Sequence, residues 1–470
     1  MIRSLDENKN TATISKNKKR FNIFSFWKGS HRDRSLLFGI IAGIFLLIKV
    51  IEKSIPSKFA HKFPSDISLA LLAVLVLITV IHGFYIFIAQ HHRRRNPREL
   101  KKDYRPSIDI FISALNEEAV IGKTLENLLG LNYPGLKIYA INDRSTDRTK
   151  DIIDQIAVKS GAKLIGLHRP SHAAPGKSAA LNDALKISSG EVICVLDADA
   201  VIDDSFLFNI VSYLGDPQVA AVQAQKVISN PEVNFLTKCQ FHEYAMDAYL
   251  QMGRDSIRGT VELRGNGQLV KREALEDVGG WNEETITDDL DLSTCLHVNG
   301  WDVRFSPENV VLEEGVPTLS AFVKQRRRWA EGSMRRYLNY FLQLLQPGNL
   351  SMSQIFDTFV FLSEFSVPFW LFLDISYELV TMVLNKESSF SFSIFMMISV
   401  MMTLYLFTTQ FNGLRIYKNQ SVGQAFINSV VGVTYFLSTW MFVIMLSYRK
   451  ILFSRTVGTW TRTAKQGVAG

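Results

Sequence analysis

Apolar and charged positions divide this chain into three textures. Residues 35–51 and 67–90 are almost wholly apolar. Residues 106–330 alternate short apolar runs with charged stretches. Residues 356–384, 390–411 and 423–448 are apolar again. The first two runs reach the length a helix needs to span a bilayer and predict a membrane hairpin, with Pro56 and Pro64 in its loop. No small-residue cleavage pattern follows the first run, so a signal peptide is not expected. The alternating middle predicts strands over 107–113, 137–141, 163–167 and 192–196, with helices over 117–129, 146–159 and 178–187 between them. Strand and helix in turn mean βαβ units, an α/β fold and a parallel sheet whose ligands sit at the carboxyl ends of its strands.

The later part of this region is less regular. It predicts a helix over 235–252, a flexible turn at Arg264-Gly265-Asn266-Gly267, and a short helix over 273–278 closed by Gly279-Gly280. Residues 330–345 carry basic positions on one face and Tyr and Leu on the other, the pattern of a helix lying in a membrane interface. The expected organisation is a basic tail (1–34), a transmembrane hairpin (35–92), a catalytic domain (93–335), an interfacial helix (336–350), C-terminal membrane segments (351–448) and a second basic tail (449–470). Five full crossings would leave that last tail outside the cell, whereas its charge favours the inside. Either the fifth segment is interfacial or re-entrant, or Pro368 breaks the third.

Charge sharpens this layout. The chain is +7 overall, but residues 1–34, 89–105 and 449–470 together carry +16, leaving the remainder near −9. Basic residues are therefore juxtamembrane, where each is worth about 1 kcal/mol against an anionic leaflet. His91-His92-Arg93-Arg94-Arg95 directly follows the hairpin and places the catalytic domain on the cytoplasmic side. A nucleic-acid-binding role would need a basic patch on the folded domain and is not expected. Mean hydropathy of +0.08 with 21% charged residues fits a polar domain joined to apolar spans. Cys194, Cys239 and Cys295 are odd in number and widely spaced, which fits a reducing compartment and no zinc site.

Chemistry concentrates at strand ends. The stretch Val192-Ile193-Cys194-Val195-Leu196-Asp197-Ala198-Asp199 is an apolar run ending in two aspartates. In extended geometry their carboxylates point the same way and can share one Mg²⁺ or Mn²⁺ with a diphosphate. Taken alone, the pair could equally cap the next helix. Ala114-Leu115-Asn116-Glu117 ends the first strand, and Asn142-Asp143-Arg144-Ser145-Thr146-Asp147 the second. Thr287-Asp288-Asp289-Leu290-Asp291 and Gln325-Arg326-Arg327-Arg328-Trp329 follow. Asp143 can accept from a uracil N–H, Asp197 can hold ribose or metal, and Asp199 the metal. Asp289 can take the proton of an attacking hydroxyl. Arg328 can neutralise a departing diphosphate, and Trp329 can face a sugar ring. Pro175-Gly176-Lys177-Ser178 is not a phosphate loop, because Ser171 stands where that loop needs glycine. Lys177 still qualifies as a substrate-phosphate contact.

These motifs, in this order, resemble the membrane-embedded family 2 glycosyltransferases over residues 106–329. The resemblance implies a GT-A (Rossmann-like nucleotide-sugar binding) domain flanked by transmembrane helices, a UDP-sugar donor, a divalent metal and inversion to a β-linkage. It implies roles for Asn116, Glu117, Asp143, Lys177, Asp197, Gln325, Arg328 and Trp329 in substrate binding. Asp197 and Asp199 would hold metal and Asp289, beside Asp288, would be the base. Asp288 departs from the glutamate that many members carry and leaves Asp289 in place. Glu262 to Gln268, Gly279 to Leu292, Arg328 to Gly332, and Trp460-Thr461-Arg462-Thr463 with Gln466-Gly467 look more specifically like the cyanobacterial β-monoglucosyldiacylglycerol synthases. That implies UDP-glucose as donor and 1,2-diacylglycerol as acceptor. The same motifs also occur in processive polysaccharide synthases making cellulose-like, chitin-like or poly-N-acetylglucosamine chains.

Overall fold

The computed structural model describes residues 33–43, 64–95, 98–384 and 392–454. The loop of the predicted hairpin, the end of its first segment and most of both basic tails lie outside the described residues.

A seven-stranded sheet with order β3-β2-β1-β4-β6-β5-β7 forms the middle of the chain. Its parallel half is β1 (Ile108–Ala114), β2 (Leu136–Asn142), β3 (Leu164–His168) and β4 (Val192–Leu196), within a residue of the expected positions. All five residues of β4 are buried, as a strand covered on both faces requires. Helices α2 (Ile121–Gly130), α3 (Thr149–Ser160) and α4 (Lys177–Ile187) make the crossovers; α1 is the apolar helix Pro64–Arg95.

The second half of the sheet carries no period-2 signature and is not apparent in the sequence pattern. β5 (Val219–Ile228) and β7 (Asp302–Glu313) are parallel to each other, and β6 (Gln268–Lys271) runs antiparallel between β4 and β5. This reversal positions the site. The carboxyl ends of β1, β2, β4, β5 and β7 reach one edge, and the antiparallel strand brings its amino end, with Arg264 to Gly267, to the same edge. Helices α5 (Phe235–Ser256), α6 (Arg272–Asp277) and α7 (Asp288–Val298) complete the domain.

The stretch expected to hold a separate interfacial helix is instead one helix, α8 (Leu319–Leu345), with the Gln-x-x-Arg-Trp motif on the same rod. Its basic positions turn inward: Arg326, Arg335 and Arg336 are all buried. Each has an acidic partner, at 2.9 Å from Glu243, 2.5 Å from Asp33 and 2.7 Å from Glu262 respectively. A helical stripe of arginine reads the same from sequence whether it faces lipid headgroups or buried carboxylates; only tertiary packing separates the two. Arg93, in the juxtamembrane cluster, likewise meets buried Asp255 at 2.9 Å.

Helices α9 (Met352–Val383), α10 (Phe392–Tyr417) and α11 (Val422–Phe453) correspond to the three C-terminal apolar segments. Pro368 lies inside the third segment's helix without ending it, and the fifth segment is a single helix. Among the described residues, 72–93, 352–377 and 422–453 are long and apolar enough to cross a membrane.

Charge pairs join these helices to the sheet domain. Asp357 of α9 lies 3.0 Å from His82 of α1 and 3.4 Å from Arg254 of α5, and it accepts from the Thr260 backbone N–H at 2.7 Å. Glu243 of α5 accepts from Tyr435 and Trp440 of α11 at 2.9 and 3.1 Å. Breaking such a pair leaves an uncompensated buried charge, so the helices and the sheet domain hold one relative geometry.

Candidate active site

A cavity of about 520 Å³ opens along the convergent sheet edge and continues between α9, α10 and α11. Its polar end is lined by Glu117, Lys177, Asp197, Asp199, Asp288, Asp289, Gln325, Arg328 and Trp329. Four of the five sequence motifs therefore contribute to one cavity although they span more than two hundred residues.

Asp197 and Asp199 stand just past β4. The Lys177 ammonium is 2.7 Å from Asp197 Oδ1, and Asp199 Oδ2 accepts the Glu314 backbone N–H at 2.8 Å. Burial alone would lower the Lys177 pKa, but Asp197 and Asp288 override it and raise the pKa. Lys177 thus stays charged at the cavity wall. No cluster of three or more His, Cys, Asp or Glu suited to a metal occurs among the described residues. Two hard carboxylates opening into one cavity still fit Mg²⁺ or Mn²⁺, which such sites typically hold through one or two carboxylates plus substrate phosphates.

Asp288 and Asp289 open α7, where backbone N–H groups favour negative charge. Asp289 is nevertheless pushed up to about 6, chiefly by burial and then by neighbouring Asp288. That value suits a group that must take a proton near neutrality. Gly265 makes room for it: at φ +79°, an added Cβ there would come 3.1 Å from Asp289 Oδ2. Gly332 lets α8 close on the same loop, since a Cβ there would overlap the Thr287 side chain. This brings Arg328 to the carboxylates. Burial lowers the Arg328 pKa, opposed by Asp289, Asp288 and Asp197.

Two expected residues sit differently. Asn116 Oδ1 accepts the Thr146 N–H at 2.7 Å, tying the loop after β1 to the loop after β2, and Asn116 does not line the cavity. Asp143 is buried and gripped by Arg169 at 2.6 Å and by Arg144 at 2.8 Å, so its carboxylate faces guanidinium groups. Both occupy the expected sheet edge. Asp147 accepts the Thr149 N–H at 3.0 Å and the Glu118 N–H at 3.2 Å, so it too ties these loops together.

Sequence reasoning missed Lys226 and Glu313. Lys226, near the end of β5, lies 3.1 Å from Glu313 at the end of β7, with its ammonium 5.6 Å from the Trp329 ring centre. Tyr244 donates to Glu313 at 2.5 Å and Asn266 at 3.1 Å. The acidic end of Val310-Val311-Leu312-Glu313-Glu314 repeats the signature of β4, an apolar run closing on carboxylates, and was available to find Glu313. Lys226 left no comparable mark.

The other end of the cavity is apolar, with Pro368, Leu371, Phe395, Met402, Phe436 and Trp440 among its walls.

Comparisons with known proteins bear on the family and the fold. A family model described as glycosyltransferase like family 2 matches residues 106–332. The chain is 42% identical over 296 residues to a β-monoglucosyldiacylglycerol synthase of Nostoc sp. (strain PCC 7120), covering 62% of each chain. It is 46% identical over 237 residues to the β-monoglucosyldiacylglycerol synthase of Synechocystis sp. (strain PCC 6803), covering 50% of this chain and 49% of that one. The matches thus span 62% and 49% of those relatives' length. A solved mannosyltransferase from Pyrobaculum calidifontis, in complex with GDP-Man and Mn²⁺, superposes over 82% of this chain and 99% of its own. The TM-score is 0.56 at 20% identity, which shows a shared GT-A fold.

Proposed function

Residues 106–332 belong to the glycosyltransferase-like family 2, and from that premise we propose that the chain transfers glucose from UDP-glucose to 1,2-diacylglycerol, giving β-monoglucosyldiacylglycerol. The observation that carries the reading is the single cavity with unlike ends, acidic and cationic at the sheet edge and apolar between three helices. A soluble acceptor has no use for the apolar end. A lipid with a free hydroxyl uses both, because re-solvating its chains would cost about 0.8 kcal/mol per CH₂. The names of the relatives point to the same product.

In this reading the nucleotide diphosphate lies along Lys177 and Arg328, whose charges offset the negative charge that grows as the glycosidic bond breaks. Asp289 accepts the proton of the lipid hydroxyl as its oxygen attacks the sugar's anomeric carbon from the face opposite the diphosphate, which inverts the configuration. Trp329, Gln325 and Glu117 line the space left for the sugar. A divalent cation, held by Asp197 and Asp199 with the phosphates, would add charge neutralisation. The domain faces the cytoplasm and the apolar helices cross the membrane.

Full-length protein with UDP-[¹⁴C]glucose and dispersed diacylglycerol is expected to make one β-glucosyl lipid, resolved by thin-layer chromatography, without further growth in excess donor. A ladder of lengthening products or an insoluble polymer would replace this reading with a polysaccharide synthase. Protease added outside right-side-out vesicles should leave residues 106–329 intact; cleavage there would reverse the orientation.

A further inference from the structure

Between its two ends the cavity passes a polar collar contributed by Glu243, Asp247, Arg254, Arg264, Glu364 and Tyr405. Four of these six are committed. Glu243 is paired to Arg326, Arg254 to Glu262 and Asp357, and Arg264 to Asp247 and Glu262. Glu364 of α9 and Tyr405 of α10 differ. Neither side-chain oxygen has a hydrogen bond or ion pair with any described residue, although the two groups lie within electrostatic reach of each other.

Both residues sit on apolar helices, and Glu364 lies within the segment 352–377 that is long enough to cross a membrane. An ionisable side chain there is costly and characteristically marks a substrate path. Arg254 supplies a nearby positive charge without bonding to the Glu364 carboxyl. Pro368 lines the cavity four residues along α9 from Glu364, one helical turn towards the apolar end. The collar is therefore where an amphiphile's chains would give way to its polar region.

Resting on the lipid-acceptor reading above, we infer that Glu364 and Tyr405 form the acceptor-positioning site: they hydrogen-bond the glycerol region of the lipid so that its free hydroxyl reaches Asp289. They are positioning residues and take no part in bond making. Both side chains line the passage, so they also select against acceptors with no polar group at that depth. Long-chain primary alcohols carry the reactive hydroxyl but no ester oxygens beside it.

The test uses full-length protein with three variants: Tyr405→Phe, which keeps the ring, Glu364→Leu, and Glu364→Gln, which keeps both a donor and an acceptor. The readouts are the KM for dispersed diacylglycerol, the KM for a long-chain primary alcohol, and UDP affinity by titration. Loss of a hydrogen bond to the lipid should raise the diacylglycerol KM about tenfold in Tyr405→Phe and more in Glu364→Leu. Glu364→Gln should recover most of that loss. The alcohol KM and UDP affinity should stay near wild type, which a general loosening of the fold would not allow. An unchanged diacylglycerol KM in folded Tyr405→Phe and Glu364→Leu, or equal rises for both acceptors, would overturn the inference while wild-type glycolipid synthesis left the function standing. If wild-type protein makes polymer instead, the lipid reading itself fails.

Discussion

Two pairs of aspartates face the same cavity, and their surroundings give them different work. Asp197 and Asp199 follow a buried strand; Asp197 keeps 37% of its side chain exposed and lies against Lys177. Asp288 and Asp289 open a helix on the same cavity, where burial and the neighbouring Asp288 push Asp289 up to about 6. In the first pair, Asp197 lies against a cation and Asp199 accepts a backbone N–H. In the second, Asp289 has the raised pKa of a group suited to taking a proton near neutrality. Identical side chains thus meet different environments, which in the proposed reaction suit electrostatic and proton-transfer roles.

The largest expected effect tests the second pair. Asp289→Asn keeps the shape and removes the basicity, so turnover should fall by about 10²–10⁴-fold while UDP affinity persists. An Asn variant within a few-fold of wild type would break the comparison and move the base to Asp288. Asp199→Asn tests the first pair. Turnover should drop by about 10²–10³-fold, EDTA should abolish wild-type transfer, and Mg²⁺ or Mn²⁺ should restore it. Full activity in chelator would remove the cation from the scheme.

A third variant probes the frame that holds Asp289. Arg336 donates to the Leu290 carbonyl at 3.3 Å and pairs with Glu262, whose carboxyl is held down at about 2: burial would raise it, but Arg336, Arg264 and Arg254 prevail. Arg336→Met should cost about 1–3 kcal/mol of stability, because Glu262 loses one of three arginine partners and the Leu290 carbonyl a donor, read as a lower denaturation midpoint.

The pH profile sharpens the comparison further. Asp289 is protonated and idle below its pKa, so turnover should fall tenfold per unit as pH drops below about 6, and this limb should vanish in Asp289→Asn. The smallest effect runs the other way. Between the ordinary value of 3.8 and about 6, the native carboxyl holds a proton that the unfolded chain has released. Stability therefore declines as pH rises through that window. Asp289→Asn should accordingly raise the thermal midpoint slightly at pH 7 while abolishing turnover.

Legibility differed between the halves of the domain for a physical reason. β1 to β4 are apolar runs separated by helices of regular length, so local pattern and tertiary structure agree. β6 has four residues and gains its place only by pairing with β4 and β5. No local signal specifies a pairing that bridges some seventy residues of chain, from Val195 to Gln268. The same limit hid Lys226, whose meaning comes from Glu313 and Trp329, each more than eighty residues away.

By itself the sequence determined the parallel half of the sheet, the apolar helices and the motif residues at strand ends, because each follows from periodicity or from chemistry within a few neighbouring positions. Tertiary structure decided which charges face what. It turned Arg335 and Arg336 from a membrane-facing stripe into buried ion pairs, set Asn116 and Asp143 to holding loops and guanidinium groups, and left Glu364 and Tyr405 open to the cavity. A charge's worth depends on its partner and on the water around it, and neither is written in the few residues on either side.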